Sequence, residues 1–362
     1  MFYLGWRLAE SLAQWIWLAV MAVLILMLPT FYWNSESEKF TRLKIVLQQA
    51  SYLSMGLVSS LFVLALLRDL VLLVVVAVAG ASEAALVYEW TGGTSAFALA
   101  MLITLFGLWR TVSGPVIRKV TIAIHNLPAA LSGMHIVQIS DLHISPTMRR
   151  RYVERVLHMV EQLKPDMTVL TGDIVDGHVA ELRQSVAPLS RLFPYGRVFF
   201  VPGNHEYYWD IDAWAKEFRR LGASVLLNRG EYVKHNGHSF WIGGVADPAA
   251  LQTRTGKAPD VKKAYEGSEA ADFRLLLSHR PGMVVEAAQI GFHLQLSGHT
   301  HGGQFFPWTH ILKVLHKFFT GLIKHENMWL YVSPGTGSWG PPLRIGTTPE
   351  LTSIRIETAH SK

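Results

Sequence analysis

The chain has 362 residues, a formal net charge of +6, only 17% charged residues and no cysteine. That length accommodates a membrane region and one sizeable globular domain. The lack of thiols excludes disulfides and every cysteine-ligated metal site. Mean hydropathy is +0.24, an average over two unlike parts: an apolar first third ending near Thr111, then a stretch of ordinary globular composition.

In chain order, four apolar stretches come first: Leu12–Leu28, Ala50–Leu67, Leu70–Tyr88 and Ala96–Val112. Each is near the roughly 20 residues that span a bilayer as a helix. Trp15, Trp17, Tyr32, Trp33, Trp90 and Trp109 lie near their ends, as interface aromatics do. Arg68-Asp69 and Thr91-Gly92-Gly93 read as the breaks around the third stretch. The expectation is a four-helix transmembrane region over residues 1–118, multi-pass in the cell membrane. Glu83 is its one intramembrane acid worth testing. A buried helical bundle is the competing reading, and four such stretches in a row weigh against it. The first stretch is too long for a cleaved signal peptide, and no small-residue cleavage site closes it. With both termini on one side, Arg7, Arg68, Arg110, Arg118 and Lys119 face Lys39, Arg42 and Lys44. That mild bias places the C-terminal domain in the cytoplasm.

From about Gly133 short apolar runs alternate with helical patterns, which predicts an α/β domain over 119–362. Predicted strands are His135–Ile139, Met167–Leu170, Val198–Val201, Phe240–Gly243, Leu275–Leu277, His293–Leu296 and Trp329–Val332. Predicted helices are Arg151–Leu163, Ala180–Leu192 and Ile211–Leu221. In the first of these, Val153, Val156, Leu157, Val160 and Leu163 form one apolar stripe.

Five polar stretches directly follow such strands: Asp141-Leu142-His143, Gly172-Asp173, Gly203-Asn204-His205-Glu206, Ser278-His279 and Gly298-His299-Thr300-His301. Ligands in α/β sheets collect at the carboxyl ends of strands, so five distant loops can meet at one edge. Singly each is weak. An Asp at a strand end is usually a turn former, and a lone His279 is usually a hydrogen-bonded histidine. The ordered set is what carries weight. Oxygen and imidazole donors without sulfur suit a pair of divalent metals such as Mn, Fe or Zn. Two such ions about 3.5–4 Å apart are the usual device for phosphoester hydrolysis. Asp176 and Glu206 are candidates to orient the ligating histidines, with surface or capping roles equally open.

This ordered set resembles the calcineurin-like metallophosphoesterases, and most of all their membrane-associated YkuE/YaeI-like branch. The resemblance covers roughly Val120 to Glu357. It includes Ser333-Pro334-Gly335-Thr336-Gly337, Pro342-Leu343-Arg344-Ile345-Gly346 and Pro349-Glu350-Leu351. It implies a four-layer αββα sandwich and a metal-dependent phosphoric ester hydrolase. It further implies that Asp141, His143, Asp173 and His301 hold one metal. Asp173 would bridge to a second, held also by Asn204, His279 and His299. His205 would act with Asp173 in catalysis, unligated, stabilising or protonating the leaving oxygen.

Two segments bear on substrate. In 307–325, Ile311, Leu312, Leu315, Phe318, Phe319, Leu322 and Ile323 share a face at helical spacing with lysines at its rim. That reads either as an interfacial helix or as an ordinary helix packed on the sheet. Arg149 and Arg150, in the run Met148–Arg151, and also Arg344, are expected to bind the substrate. The expected partners are the bilayer and a lipid-linked phosphoester or pyrophosphate. The resemblance suggests one of UDP-diacylglucosamine type. No nucleic acid is expected. A soluble nucleotide or other soluble phosphoester is the alternative substrate. A membrane sensor without turnover is the alternative role, although no ligand position is missing.

Overall fold

The computed structural model describes residues 1–33, 41–148 and 150–359. The chain divides into two compact units. One comprises Met1–Thr111 with Phe305–Pro307 and Gly340–Ile345. The other comprises Val112–Gln304, Trp308–Trp339 and Gly346–Lys362.

The first unit is helical. Its long helices are Leu12–Leu26, Arg42–Ala79 and Gly93–Val112. Among the described residues, three helical segments are long and apolar enough to cross a membrane: Leu12–Thr30, Arg42–Ala79 and Gly93–Val112. The expected second span and the first part of the third, up to Ala79, lie in one helix, so three candidate spans stand where four were expected. Arg68-Asp69 does not break that helix, because charged residues keep their backbone donors and their heads are satisfied laterally. The Arg68 guanidinium donates to the carbonyls of Arg7 at 2.7 Å and Thr91 at 3.2 Å. Asp69 accepts from the Tyr3 hydroxyl at 2.7 Å and pairs with Arg7. The helix stops at Gly80, whose φ of 103° favours glycine. Ala81–Trp90 is then only 10 residues long. Three candidate spans do not support the expectation that both termini lie on one side. At ~1.5 Å per residue the 38-residue helix is ~57 Å long, well beyond the hydrocarbon core. Leu70, Leu73, Val74, Val78, Leu102 and Phe106 are exposed, as suits a lipid-facing surface. The segment 340–345 packs into this unit: Leu343 lies against Gly56 and Gly107, and the Arg344 N–H donates to the Gly107 carbonyl.

The second unit is a sandwich of two six-stranded mixed sheets. Its strands are β1 (Val116–Ile124), β2 (His135–Ile139), β3 (Met167–Thr171), β4 (Arg197–Val201), β5 (Ser224–Val225), β6 (Arg229–His235), β7 (His238–Gly244), β8 (Arg274–Leu277), β9 (Leu294–Ser297), β10 (Gly321–His325), β11 (Met328–Val332) and β12 (Glu350–Thr358). The orders are β1-β12-β2-β3-β4-β5 and β10-β11-β9-β8-β7-β6. In the first sheet β2, β3, β4 and β5 run parallel; in the second β7, β8, β9 and β11 do.

The inner faces bury one core, with Ile122, Ile136, Val169, Phe199 and Ile354 from one sheet meeting Ile242, Leu275, Leu277, Leu294 and Leu296 from the other. Helices cover the outer faces. Phe200 of β4 stacks on Phe218 of the helix Ile211–Leu221 at 4.1 Å between centroids. Leu276 and Leu330 pack with Val261, Val284 and Ala287. The expected helix–sheet–sheet–helix layering is therefore present. The expected helix Ala180–Leu192 is α-helical only over Val179–Val186 and continues as a 3₁₀ helix over Ala187–Tyr195. Pro188 and Pro194 lack the N–H that an α-helix there would need.

One polar tie crosses the core. The buried Gln138 side-chain amide donates to Thr171 Oγ1 and to the Ser297 carbonyl, both at 2.8 Å, joining β2 and β3 to β9. Gln138→Leu strands that carbonyl, at a cost of about 1–3 kcal/mol. Thermal denaturation should register a drop of several degrees in the melting temperature. An unchanged melting temperature would show that the tie contributes nothing.

Candidate metal centre

The carboxyl ends of β2, β3 and β4 in one sheet, and of β8 and β9 in the other, each release a short loop at the same edge. Two close approaches make this possible. A Cβ on Gly203 would lie 2.2 Å from Asp173 Oδ1, and one on Gly298 would lie 2.1 Å from Asp141 Oδ2. The ligand-bearing residues also adopt left-handed backbone: φ is 52° at Asp141 and His143, 51° at Asp173 and His301, and 73° at His299. Such positions cost on the order of 1–3 kcal/mol each and persist only where surrounding bonds fix them. Here the His143 N–H donates to the Asp173 carbonyl at 3.0 Å, and the His299 N–H to Asp141 Oδ1 at 3.0 Å.

The side chains converge in groups. Asp141, His143 and His301 form one, with Asp141 Oδ1 3.3 Å from His301 Nε2 and the His143 and His301 Nε2 atoms 3.1 Å apart. Asp173, His279 and His299 form another, with Asp173 Oδ2 3.1 Å from His279 Nε2 and His299 Nδ1 3.2 Å from His279 Nε2. His143, Asp173 and His205 form a third, in which His205 Nε2 lies 3.9 Å from Asp173 Oδ2.

The donor set fits divalent cations. It is oxygen and imidazole only. Buried ring nitrogens that face one another need a shared proton or a cation between them. Asn204 Oδ1 is buried without a hydrogen-bond partner, as an oxygen reserved for a cation would be.

Charge compensation follows the same logic. Burial pushes the Asp173 carboxyl up, but His279, His205 and His143 outweigh it and hold it well below the usual range. Burial pushes His279 down, and Asp173 overrides this to raise it to about 10. Burial likewise lowers His205, and Asp176 with Asp173 raises it to about 9. Burial and the His279 charge lower His299 to about 3. Ligating imidazoles must be neutral, so cations and these protons compete for the same site.

The supporting residues are well defined. The His279 Nδ1–H faces the Thr171 carbonyl at 2.9 Å, which leaves Nε2 toward Asp173. Asp176 holds two rings, His205 Nδ1 at 2.5 Å and His143 Nδ1 at 3.3 Å. The Trp209 indole N–H also donates to Asp176, at 3.1 Å. Glu206 accepts four backbone N–H bonds, from Asp173, Ile174, Val175 and Gly203, at 2.7–3.2 Å. It fastens the β3 loop to the β4 loop.

Seven of the eight residues expected as ligands or acid thus fall in these groups, and Asn204 adjoins His205 at the start of the helix Asn204–Tyr208. Arg149 lies outside the described residues. Arg150 is exposed and pairs with Glu154 at 2.8 Å. Arg344 is fully buried within the helical unit. Three side chains near the centre escaped the sequence reading: Arg280, paired with Asp247 at 3.1 Å, and Tyr208 and Trp339, whose rings lie 5.3 and 5.5 Å from His205. Arg280 adjoins His279, and Tyr208 is three residues past His205 on a helix, so both were within reach of spacing arguments.

Gly298→Ala should prevent metal loading, because its methyl would occupy the space of the Asp141 carboxylate. Elemental analysis after Mn²⁺ loading checks this. Full occupancy in that variant would contradict the convergence described.

Residues 134–303 match the calcineurin-like phosphoesterase family. The bovine and zebrafish proteins called transmembrane protein with metallophosphoesterase domain are 36% and 35% identical over 277 and 273 residues. Those matches take in 72% of this chain and 62% of each relative, so the chain spans less than two thirds of their length. An uncharacterized metallophosphoesterase of Aquifex aeolicus is 34% identical over 243 residues, covering 67% of this chain and 91% of that one. YkuE of Bacillus subtilis, also an uncharacterized metallophosphoesterase, is 31% identical over 65% of this chain and 82% of its own. With relatives matched along nearly their whole length, the chain belongs to the calcineurin-like metallophosphoesterases.

Proposed function

We propose that the protein is a membrane-anchored, two-metal phosphohydrolase that cleaves a lipid-linked phosphodiester or pyrophosphate. The observation that carries the hydrolytic reading is the pair of adjoining ligand groups, Asp141–His143–His301 and Asp173–His279–His299. In this reading Asp141, His143, Asp173 and His301 hold one divalent cation, and Asp173, Asn204, His279 and His299 hold the other. Mn, Fe and Zn all suit these donors. Such cations supply Lewis acidity toward water and phosphoryl oxygens. His205 stands apart from both sets. Asp176 occupies its Nδ1 at 2.5 Å, so its Nε2 is the atom available to substrate. Raised to about 9, it carries a proton at neutral pH and delivers it to the leaving oxygen. The Arg280 guanidinium adds fixed positive charge beside His279, suited to an anionic substrate.

Three features favour a lipid-linked substrate. Among the described residues, three helices are apolar and long enough to span a membrane, and relatives bear transmembrane names. The helix Trp308–Leu315, seven residues past His301, leaves Trp308, Ile311, Val314 and Leu315 exposed, with Lys313 among them. That is the composition of a helix lying among headgroups. It is shorter than the helix expected over 307–325. Gly321–His325 is the strand β10, and Phe318 is buried in the sandwich. The intervening 316–320 stretch ends at Gly321, whose φ of 88° favours glycine and cannot continue a helix.

Three crossings also redistribute the flanking charge. Arg42, Lys44, Arg110, Arg118 and Lys119 then fall on the side of the catalytic unit, and Arg7, Glu83 and Glu89 on the other. The catalytic unit is thereby assigned to the cytoplasm, with the N-terminus outside.

Asp173→Asn should abolish Mn²⁺-dependent cleavage of bis(4-nitrophenyl) phosphate. His205→Asn should cost about 10²–10⁴-fold on alkyl esters and far less on 4-nitrophenyl esters, whose leaving group needs no proton. A leaving-group series checks this, and equal losses would make His205 a ligand instead. Val314→Asp combined with Leu315→Asp should slow cleavage of UDP-diacylglucosamine in vesicles at least about tenfold. Bis(4-nitrophenyl) phosphate cleavage should be untouched. Parallel loss on both substrates would remove the docking role and favour a soluble phosphoester.

A further inference from the structure

Beside His205 stand two aromatic side chains that the chemistry above does not use. The Tyr208 and Trp339 rings lie T-shaped to the imidazole, at interplanar angles of 64° and 70°. They are 48% and 43% exposed, whereas His205 itself is buried. Trp339 is held in place from two directions. The Gln304 side chain clasps its backbone, the amide N–H donating to the Trp339 carbonyl at 2.8 Å and the amide oxygen accepting from the Trp339 N–H at 3.0 Å. Gln304 is three residues past His301 and has a left-handed φ of 56°. Just upstream, the Thr336 and Gly337 N–H groups donate to the carbonyls of Ser140 and Asp141, at 2.7 and 3.0 Å. A Cβ on Gly337 would lie 2.2 Å from the Leu142 carbonyl oxygen. The strap carrying Trp339 is therefore bonded to loops bearing Asp141 and His301.

With Asp176 on its Nδ1, His205 has Nε2 left for substrate, and a leaving group seated beside the imidazole would have these two rings within 5.3 and 5.5 Å of that ring as neighbours. We propose that Tyr208 and Trp339 form a leaving-group subsite selective for phosphoesters whose leaving group carries a planar ring. The subsite rests on the two-metal reading of the same centre. It concerns the arm of the phosphoester that departs, and it leaves the other arm free to carry the lipid. Flat faces stack on exposed indole and phenol with useful affinity regardless of their detailed pattern of polar atoms. A flexible alkyl chain gains less, because it must be ordered to make the same contact.

The test uses the full-length, Mn²⁺-loaded protein and two non-hydrolysable phosphinates in which CH2 replaces the leaving oxygen: benzyl(methyl)phosphinate, the phenyl probe, and pentyl(methyl)phosphinate, the butyl probe. Isothermal titration calorimetry reads their affinities without requiring turnover. The wild type should bind the phenyl probe about tenfold more tightly than the butyl probe. Trp339→Ala and Tyr208→Ala should each erase most of that preference while leaving the butyl affinity within about twofold. Trp339→Phe should keep it. Equal binding of both probes by the wild type, or a preference for butyl, overturns the proposal and marks the pair as a wall for an acyl chain. A parallel loss for both probes in Trp339→Ala overturns it too, since it assigns the ring a merely structural part. Failure of the hydrolytic reading has a different signature: tenfold phenyl preference together with no cleavage of any phosphoester.

Discussion

Two carboxylates buried at the seam of two sheets impose the constraint on which the rest of this architecture depends. Neither Asp141 nor Asp173 can hold charge in the interior without cationic company or donated hydrogen bonds. Both kinds of support are present. Backbone N–H groups of His299 and His205 point at their oxygens, and imidazoles from the opposite sheet come within 3.1–3.3 Å. Those imidazoles can arrive only if strands of both sheets end at one edge, which the parallel runs β2–β4 and β7–β9 ensure. Gln138 then fixes the separation of the sheets beneath the centre. Glu206 fixes the two loops above it, and the left-handed residues are the backbone cost of aiming five side chains inward.

Much of this was legible in the residues, and the exceptions have physical causes. The central strands β2, β3, β4, β8, β9 and β11 are buried on both faces, so they read as plain apolar runs, and the polar residues at their ends stood out. The edge strands did not. β6 reads Arg-Gly-Glu-Tyr-Val-Lys-His, and β1 carries Arg118 and Lys119 on a largely exposed surface. Charges on edges discourage pairing with other chains, and the same charges hide a strand from hydropathy. β12 was hidden differently, because its Leu351, Ile354 and Ile356 directly follow a recognised loop motif and were absorbed into it.

A charged pair such as Arg68-Asp69 does not end a helix; helices break where donors are lost or φ turns positive, as at Pro188 or Gly80. The run 307–325 kept a helical apolar spacing past its true end because an alternating strand and a short amphipathic helix can share those positions. Trp339 had no local signal at all. Its place beside His205 comes from the Gln304 clasp, a contact spanning 35 residues that no periodicity encodes.

The helical unit recruits Phe305–Pro307 and Gly340–Ile345 from late in the chain, so the polypeptide passes between its two units five times. Phe306 donates its N–H to Ile345, and Leu343 sits on Gly56. A fragment begun after the last apolar helix would carry Leu343 and Ile345 without the glycines, Gly56 and Gly107, that they pack on within the helical unit.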